Sequence, residues 1–250
     1  MAYNGMGGIN MTDIDKLQTI IDSSDNIVFF GGAGVSTESG IPDFRSVDGL
    51  YHQSYDYPPE TILSATFYYN HPDEFFRFYR DKLIVRNVKP NKAHIALAKL
   101  EQAGKLKAVI TQNIDGLHQM AGSKTVYELH GSTLRNHCEK CGKLFGIEAV
   151  AGSEGVPVCD ECGGRIKPDV VLYEEMLDDE CIRGAVEAIS KAQTLIIGGT
   201  SLAVYPAAGL INYFHGRHLV LINRSRTSAD SAAELVIHDS IGEVLGALRI

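Results

Sequence analysis

Seven short apolar runs recur along the chain: NIVFF from Asn26, KAVITQ from Lys107, TVYEL from Thr125, DVVLY from Asp169, TLIIGG from Thr194, HLVLIN from His218 and ELVIHD from Glu234. Helical patterns lie between most of them: NKAHIALAKLEQAG, DDECIRGAVEAISKA, YPAAGLINYFHG and SIGEVLGALRI. No other feature restricts the fold as much. Parallel strands cannot be joined by tight turns, and an intervening helix supplies the crossover. The alternation predicts an α/β fold, a parallel sheet with helices on both faces. In TDIDKLQTIIDSS, from Thr12, Ile14, Leu17, Ile20 and Ile21 share one helical face, and Thr12 is the candidate N-cap. Open sheets of this kind bind ligands beyond the carboxyl ends of their strands. Small or polar residues stand there: Gly31-Gly32, Thr111-Gln112, Gly199-Thr200-Ser201 and Asn223-Arg224.

Two segments interrupt the alternation. Residues 46–86 are aromatic-rich and contain a helical stretch, HPDEFFRFYRDKL; residues 134–167 carry four cysteines and many glycines. Both read as inserts that build a second, smaller lobe. The sheet domain is then discontinuous, comprising 11–45, 87–133 and 168–250, after a flexible polar lead-in at 1–10. The formal net charge is −8 over 250 residues, so DNA phosphates and anionic lipid are not expected partners. No apolar run is long enough to span a bilayer, and MAYNGMGGINMTD lacks the pattern of a secretory signal. A cytoplasmic location follows as the expectation, with the cysteines reduced.

GGAGVSTESGIPDFR, from Gly31 to Arg45, follows a strand directly. Glycines admit close backbone approach, and exposed amides at a helix start favour phosphate. The spacing lacks the third glycine of the full dinucleotide fingerprint, because Gly32-Ala33-Gly34 is followed by Val35, Ser36 and Thr37. A nucleotide cradle and a tight strand-to-helix turn both remain open on the glycines alone. Asp43 and Arg45 favour the cradle, since arginine suits phosphate and this pair has no purpose in a mere turn.

Cys138-x-x-Cys141 and Cys159-x-x-Cys162, seventeen residues apart, match a specific zinc spacing. Gly142, Gly163 and Gly164 follow the pairs where tight knuckles need them. Four thiolates fill a tetrahedral ion and leave no position for water, so the site is structural. His137 abuts Cys138, but a site using it would strand a cysteine, so His137 is read as a surface or packing residue. Cys181 reads as an ordinary helix residue whose acidic neighbours oppose thiolate formation. His130 ends a strand eight residues before the first ligand and belongs with the polar residues at the sheet edge.

TQNIDGLH, from Thr111, packs Gln112, Asn113 and Asp115 into four positions. Capping of the helix near Gly116 accounts for one of them only. With GAGVSTESGIPDFR, ELHG, the paired cysteines, GTSLAVYPA and INRS in this order, the chain resembles the sirtuin family of NAD-dependent protein deacylases. The resemblance runs from about Met11 to the C-terminus. Each motif alone is loose; six in order are highly specific.

The resemblance implies a Rossmann-like domain and a smaller lobe of zinc ribbon and helices, with NAD and an acetyl-lysine peptide meeting in the cleft between them. It implies that Gly32, Ala33, Gly34 and Thr37 cradle the phosphates, and that Asp43, Phe44 and Arg45 cover the cofactor. Gln112, Asn113, Ile114 and Asp115 would line the nicotinamide and ribose pocket. Gly199, Thr200, Ser201, Asn223, Arg224, Ser225 and Ile241 would hold the adenosine side. His130 matches the family's general base, with Asn113 and Asp115 beside it in the chemistry. Imidazole has a suitable pKa range to take a ribose hydroxyl proton, and a closed pocket excludes water that would hydrolyse NAD. The peptide is expected to add as a strand between Val171-Leu172-Tyr173 and the loop containing Val204. Zinc stays structural, the partners are acetylated proteins or peptides, and the family analogy suggests a monomer.

Two departures matter. Where many family members have Phe-Gly-Glu, this chain has Tyr173-Glu174-Glu175. The carboxylates either favour peptides with basic flanks or form a solvated acidic turn. Members that prefer acidic acyl chains resemble one another in a Tyr-x-x-Arg pair; alignment on Pro90-Asn91 and His94 places Phe76 and Tyr79 there. Without the cation a buried carboxylate would be unpaired, so neutral acyl groups are expected. Competing classes are a zinc amidohydrolase, which needs an open metal site, a protein ADP-ribosyltransferase, and a non-enzymatic zinc-ribbon module beside a nucleotide-sensing fold.

Overall fold

A computed structural model describes residues 11–44 and 57–250. The lead-in at 1–10, Arg45 and the insert residues 46–56 lie outside the described residues. In chain order the elements are α1 (Met11–Asp22), β1 (Ile27–Gly31), α2 (Pro59–Ile62), α3 (Ala65–Asn70), α4 (Pro72–Phe78), α5 (Lys92–Gln102), β2 (Leu106–Thr111), α6 (Leu117–Ala121), β3 (Val126–Glu128), β4 (Gly131–Cys138), β5 (Leu144–Gly146), α7 (Glu148–Ala151), β6 (Ile166–Val170), α8 (Asp179–Lys191), β7 (Thr194–Gly198), β8 (His218–Ile222), β9 (Leu235–Ile237) and α9 (Ile241–Gly246).

Six strands form one parallel sheet in the order β3-β2-β1-β7-β8-β9. Strand order reverses between β1 and β7, whose five residues each are fully buried. That follows from helices covering both faces. One face packs Ile14, Leu17, Ile20 and Ile21 of α1 with Leu97 of α5 and Val244 of α9. The other packs Ala185 and Ile189 of α8 with Ala207 and Leu210 of a 3₁₀ helix (Ala207–Tyr213). The expected apolar face of α1 is therefore the buried one, whereas Thr12 lies within the helix and not at its cap. Asp178 caps α8, accepting from the Cys181 amide at 2.7 Å, an interaction worth about 1 kcal/mol.

The DVVLY run does not join this sheet. Its strand, Ile166–Val170, pairs antiparallel with β4, which also pairs with β5, giving a second sheet in the order β5-β4-β6. An apolar run alone does not distinguish a core strand from a ribbon strand. The alternating burial of IKPDV, with Ile166, Pro168 and Val170 inward, marks a half-buried strand. A third core joins this ribbon to the helical insert, with Tyr68, Phe75, Phe76 and Tyr79 against Val150, Cys138 and Ile166. Pro72 opens α4 at its first turn, and the HPDEFFRFYRDKL stretch continues through a π-helical turn at Tyr79–Leu83. Among the described residues no helix is long and apolar enough to cross a membrane.

Candidate active site

The strand ends at the point of reversal are tied by main-chain bonds: Gln112 N–H to Gly31 O at 3.0 Å, Gly34 N–H to Gly199 O at 2.8 Å, and Asn223 N–H to Ile237 O at 3.0 Å. A Cβ on Gly34 would sit 2.8 Å from the Gly199 main chain, so glycine there is required by loop packing. This is the tight-turn reading of the glycines, and it coexists with a cradle. A cavity of about 850 Å³ opens over the same strand ends. That volume suits a large ligand such as a dinucleotide.

The cleft brings together nearly all of the sequence-predicted positions. Gly32, Ala33, Gly34 and Thr37 of the glycine loop line it, with Asp43 and Phe44. So do Gln112, Asn113, Ile114, Asp115 and His130 from the ends of β2 and β3. Gly199, Thr200, Ser201, Asn223, Arg224, Ser225 and Ile241 also line it, as do Val171, Leu172, Tyr173 and Val204. Arg45 lies outside the described residues. Gln112 donates from Nε2 to Thr200 Oγ1 at 3.0 Å, joining the β2 and β7 loops across the cleft. Arg224 is held by Ser240 Oγ at 2.8 Å, and Asn223 Nδ2 donates to Ser225 O at 2.9 Å.

Asp115 precedes Gly116, the N-cap of α6, and its Oδ1 accepts the first helical amide, Leu117 N–H, at 2.9 Å. Its Oδ2 accepts from Ser36 Oγ at 2.7 Å, and Asn113 Nδ2 donates to the same Ser36 oxygen at 3.1 Å. Ser36 is thus the buried hub of the polar cluster. Sequence reasoning passed over it because its partners are more than seventy residues away. Glu38, also in the cleft, accepts the Gly242 amide at 2.7 Å and fastens the glycine loop to α9. No local signal in the sequence announces that bond.

His130 sits between β3 and β4, with Nδ1 3.0 Å from Gln112 O. A carbonyl oxygen only accepts, so Nδ1 carries the proton and Nε2 the lone pair. Burial lowers the pKa of the ring, and the Gln112 bond opposes that shift in part. Neutral His130 is therefore the form present at pH 7, and a neutral imidazole is a base.

Both carboxylates of the Tyr-Glu-Glu departure are engaged. Glu174 holds the Thr66 amide at 2.8 Å, and this bond keeps its carboxyl below the usual range. Glu175 accepts from Leu172 N–H at 2.9 Å and from Lys167 Nζ at 3.1 Å. Glu174 adopts φ 75°, a region that costs a non-glycine residue strain. The amides of Val171 and Tyr173 donate to His130 O and Leu63 O. Leu172 is committed as well, its amide to Glu175 Oε2 and its carbonyl to the Glu175 amide.

The four cysteine sulfurs lie within 4.8 Å of one another, with Cys138–Cys162 at 3.4 Å and Cys141–Cys159 at 3.7 Å. Tetrahedral zinc with bonds of about 2.3 Å separates its thiolates by about 3.8 Å, so the residues fit the ion. Gly142 and Gly163 turn the two knuckles at φ 74° and 66°, each donating to the first cysteine of its pair. His137 stands outside the cluster, on β4 opposite Lys167 and Leu144. None of the four cysteines lines the cleft. Cys181 has its thiol pushed up to about 11, by burial first and by Asp178 and Glu128 next.

A model of the Sir2 family matches residues 32–206. The chain belongs to the Sir2 family. A sirtuin of Clostridium perfringens named NAD-dependent protein deacetylase is 66% identical over 236 residues, covering 93% of this chain and 97% of that protein. A solved Sir2 complex with deacetylated p53 peptide and 3'-O-acetyl ADP ribose superposes with a TM-score of 0.86 at 39% identity, covering 93% of this chain and 95% of the other. A Sir2 complex with p53 peptide and NAD+ has a TM-score of 0.83 at 40% identity, covering 93% and 95%. The expected Rossmann-like sheet with a smaller cysteine-bearing lobe is thus the sirtuin architecture.

Proposed function

We propose that this sirtuin is an NAD-dependent protein lysine deacetylase that transfers the acetyl group to ADP-ribose and releases nicotinamide and free lysine. One observation carries the reading: His130, neutral with Nδ1 on Gln112 O, shares a large cleft with the Asn113–Ser36–Asp115 cluster, while the cysteine site stands elsewhere. The relatives' names and the complexes with p53 peptide support it.

NAD, when bound, supplies an anomeric carbon that becomes strongly electrophilic as nicotinamide leaves. Asp115, held by Ser36 and the α6 amide, presents a fixed carboxylate to the nicotinamide end. Asn113, fixed by Ser36, orients the ribose or a water. Nε2 of His130 takes a proton from a ribose hydroxyl, while Nδ1–H on Gln112 O fixes the tautomer. Ile114, Phe44 and Leu63 exclude water from the reacting atoms. Thr37 and the Gly32–Gly34 loop would hold the phosphates, with Asn223, Arg224, Ser225 and Ile241 at the adenosine. Cys138, Cys141, Cys159 and Cys162 would hold zinc that stabilises the ribbon and stays out of the chemistry. Val171, Leu172, Tyr173 and Val204 would receive the peptide. A cytoplasmic, monomeric protein made of a discontinuous sheet domain and a small lobe belongs to the same proposal.

Incubation with an acetyl-lysine peptide, with and without NAD, tests it. Free lysine formed only with NAD is expected. Lysine released without NAD points to a metal hydrolase, ADP-ribose attached to protein to a transferase, and no turnover to a binding module.

A further inference from the structure

Two chain connections that reach the cleft leave neighbouring strands of the sheet. The loop after β8 supplies Asn223, Arg224, Ser225 and Arg226 to the cleft lining, and the turn between β9 and α9 supplies Asp239. Arg224 ties the two together through Ser240 Oγ at 2.8 Å. His238, which follows β9 and stands outside the cleft lining, ties them a second time. Its Nδ1 lies 2.9 Å from the main-chain oxygen of Asn223, and its Nε2 lies 3.3 Å from Oδ2 of Asp230. Asp230 belongs to the same β8 loop, where its Oδ1 accepts from the Thr227 amide and the Thr227 hydroxyl, each at 2.8 Å. One imidazole therefore joins the two ends of the loop, Asn223 and Asp230, and holds both against the end of β9.

Both partners of the ring only accept. A main-chain oxygen has no proton to give. Asp230 is an ionised carboxylate, kept below its usual range by the Thr227 bonds first and by the charges of His238 and Arg226 next. A neutral imidazole carries one N–H. With that proton on Nδ1, the Nε2 lone pair faces the carboxylate; with it on Nε2, the Nδ1 lone pair faces the Asn223 oxygen. Only the imidazolium makes both contacts favourable. The ring is exposed, so its proton exchanges with solvent. The other charges beside it are Asp239, its neighbour in the chain, and Arg224 and Arg226 on the loop. Glu38 and, in α9, Glu243 are taken by the Gly242 amide and by Lys92.

We infer that His238 is a positioning residue for the adenosine end of NAD, a proton-dependent clip that fixes Asn223 and its loop through Asp230 and holds them best when the ring is charged. The inference rests on the deacetylase reading, in which Asn223, Arg224 and Ser225 hold the adenosine. It adds a residue with no contact to the cofactor that sets how firmly that end is gripped.

ADP-ribose is the probe, because it carries the adenosine end without nicotinamide and needs no turnover. Its Kd is measured by titration calorimetry from about pH 6 to about pH 8.5, for wild-type protein and two variants, with melting curves alongside. The wild-type Kd should weaken threefold to fivefold over that range, about the scale of one partly exposed ion pair. His238→Ala should show the weaker value at every pH, with a peptide KM within about twofold of wild type. Asp230→Asn keeps an oxygen for Thr227 and offers an amide N–H to the lone pair of a neutral imidazole. Its Kd should not weaken as pH rises, a change that a merely structural role for Asp230 would not produce. A His238→Ala Kd equal to that of wild type at the acid end overturns the inference. So does an Asp230→Asn profile that follows the wild-type one. If His238→Ala does not fold, the Asp230→Asn profile decides alone, and failure of both variants to fold overturns the inference. Wild-type protein that binds ADP-ribose yet leaves acetyl-lysine intact counts against the deacetylase reading alone, whereas no binding of ADP-ribose overturns both.

Discussion

Nδ1 of His130 lies 3.0 Å from the main-chain oxygen of Gln112, a bond that fixes which nitrogen of the ring is free to accept a proton. If Nε2 is the base, His130→Ala removes the general-base contribution, about 10²- to 10⁴-fold in kcat. The variant should melt close to wild type. Burial lowers the His130 pKa, so the acid limb of the kcat/KM profile should lie below the ordinary imidazole value of about 6.5. An acid limb at or above that value counts against the assignment.

The buried rings of His94 and His118 set an acid limit on stability. Their folded-state values of about 4 and about 3 lie below the ordinary imidazole value of about 6.5. The unfolded chain therefore binds more protons as pH falls through 6.5. Their stabilising effect is present above that pH and is lost on acidification toward the folded values. Each group contributes a slope of about 1.4 kcal/mol per pH unit in that window, roughly 4 kcal/mol for the pair between pH 7 and 5. Urea midpoints at the two pH values, with zinc content checked, measure it. His118→Leu should remove about half of the dependence, and a profile left unchanged by that variant contradicts the assignment.

Much of this account was legible in the sequence. The strand–helix alternation gave the parallel sheet, and the cysteine spacing gave a four-sulfur cluster that the structure closes to within 4.8 Å. His130 stood out as the histidine at a strand end and not among the cysteines. What escaped was long-range. Ser36 is one serine in a glycine loop until folding brings it to Asp115 and Asn113. Glu174 and Glu175 read either as a preference for basic peptide flanks or as a solvated acidic turn, and folding gives the first to the Thr66 amide and the second to Lys167. The DVVLY run reads as one more strand of the parallel sheet, but its strand, Ile166–Val170, pairs with β4, because an apolar run carries no information about its partner.

Zinc should be present and structural. Cys138→Ser, or a chelator, should lower Tm by about 10 °C or more, because metal-binding energy is folding energy for such a lobe. Metal analysis alongside the melt checks it. Full activity with an unchanged Tm in metal-free protein contradicts the structural role.

The lip of the cleft depends on Glu175. Its Oε2 accepts from the Leu172 amide and pairs with Lys167, whose side chain is only 12% exposed. Glu175→Gln should raise the peptide KM several-fold, about 1 kcal/mol, and leave the NAD KM nearly unchanged. Equal effects on both KM values would show that the bond supports the whole cleft and not the peptide edge.

Acyl choice follows from the helical insert. Phe76 and Tyr79 are fully buried in its core, and Arg80 is held by Ser153 Oγ at 3.1 Å and Gly155 O at 2.8 Å. Lys82 does line the cleft but is paired with Asp81 at 2.9 Å. Leu83, Val85, Val88 and Ile147 make the adjoining wall apolar. On one peptide, kcat/KM for deacetylation should exceed that for desuccinylation by at least about tenfold, the cost of an unpaired carboxylate. Equal rates contradict this reading of the insert.

The central claim is acyl transfer to ADP-ribose, and product stoichiometry tests it most directly. Mass spectrometry of a single reaction should find nicotinamide, free lysine peptide and O-acetyl-ADP-ribose formed in equal amounts by wild-type protein, with all three falling together in His130→Ala. Acetate released without consumption of NAD, or ADP-ribose recovered on protein in place of its acetyl ester, would contradict it.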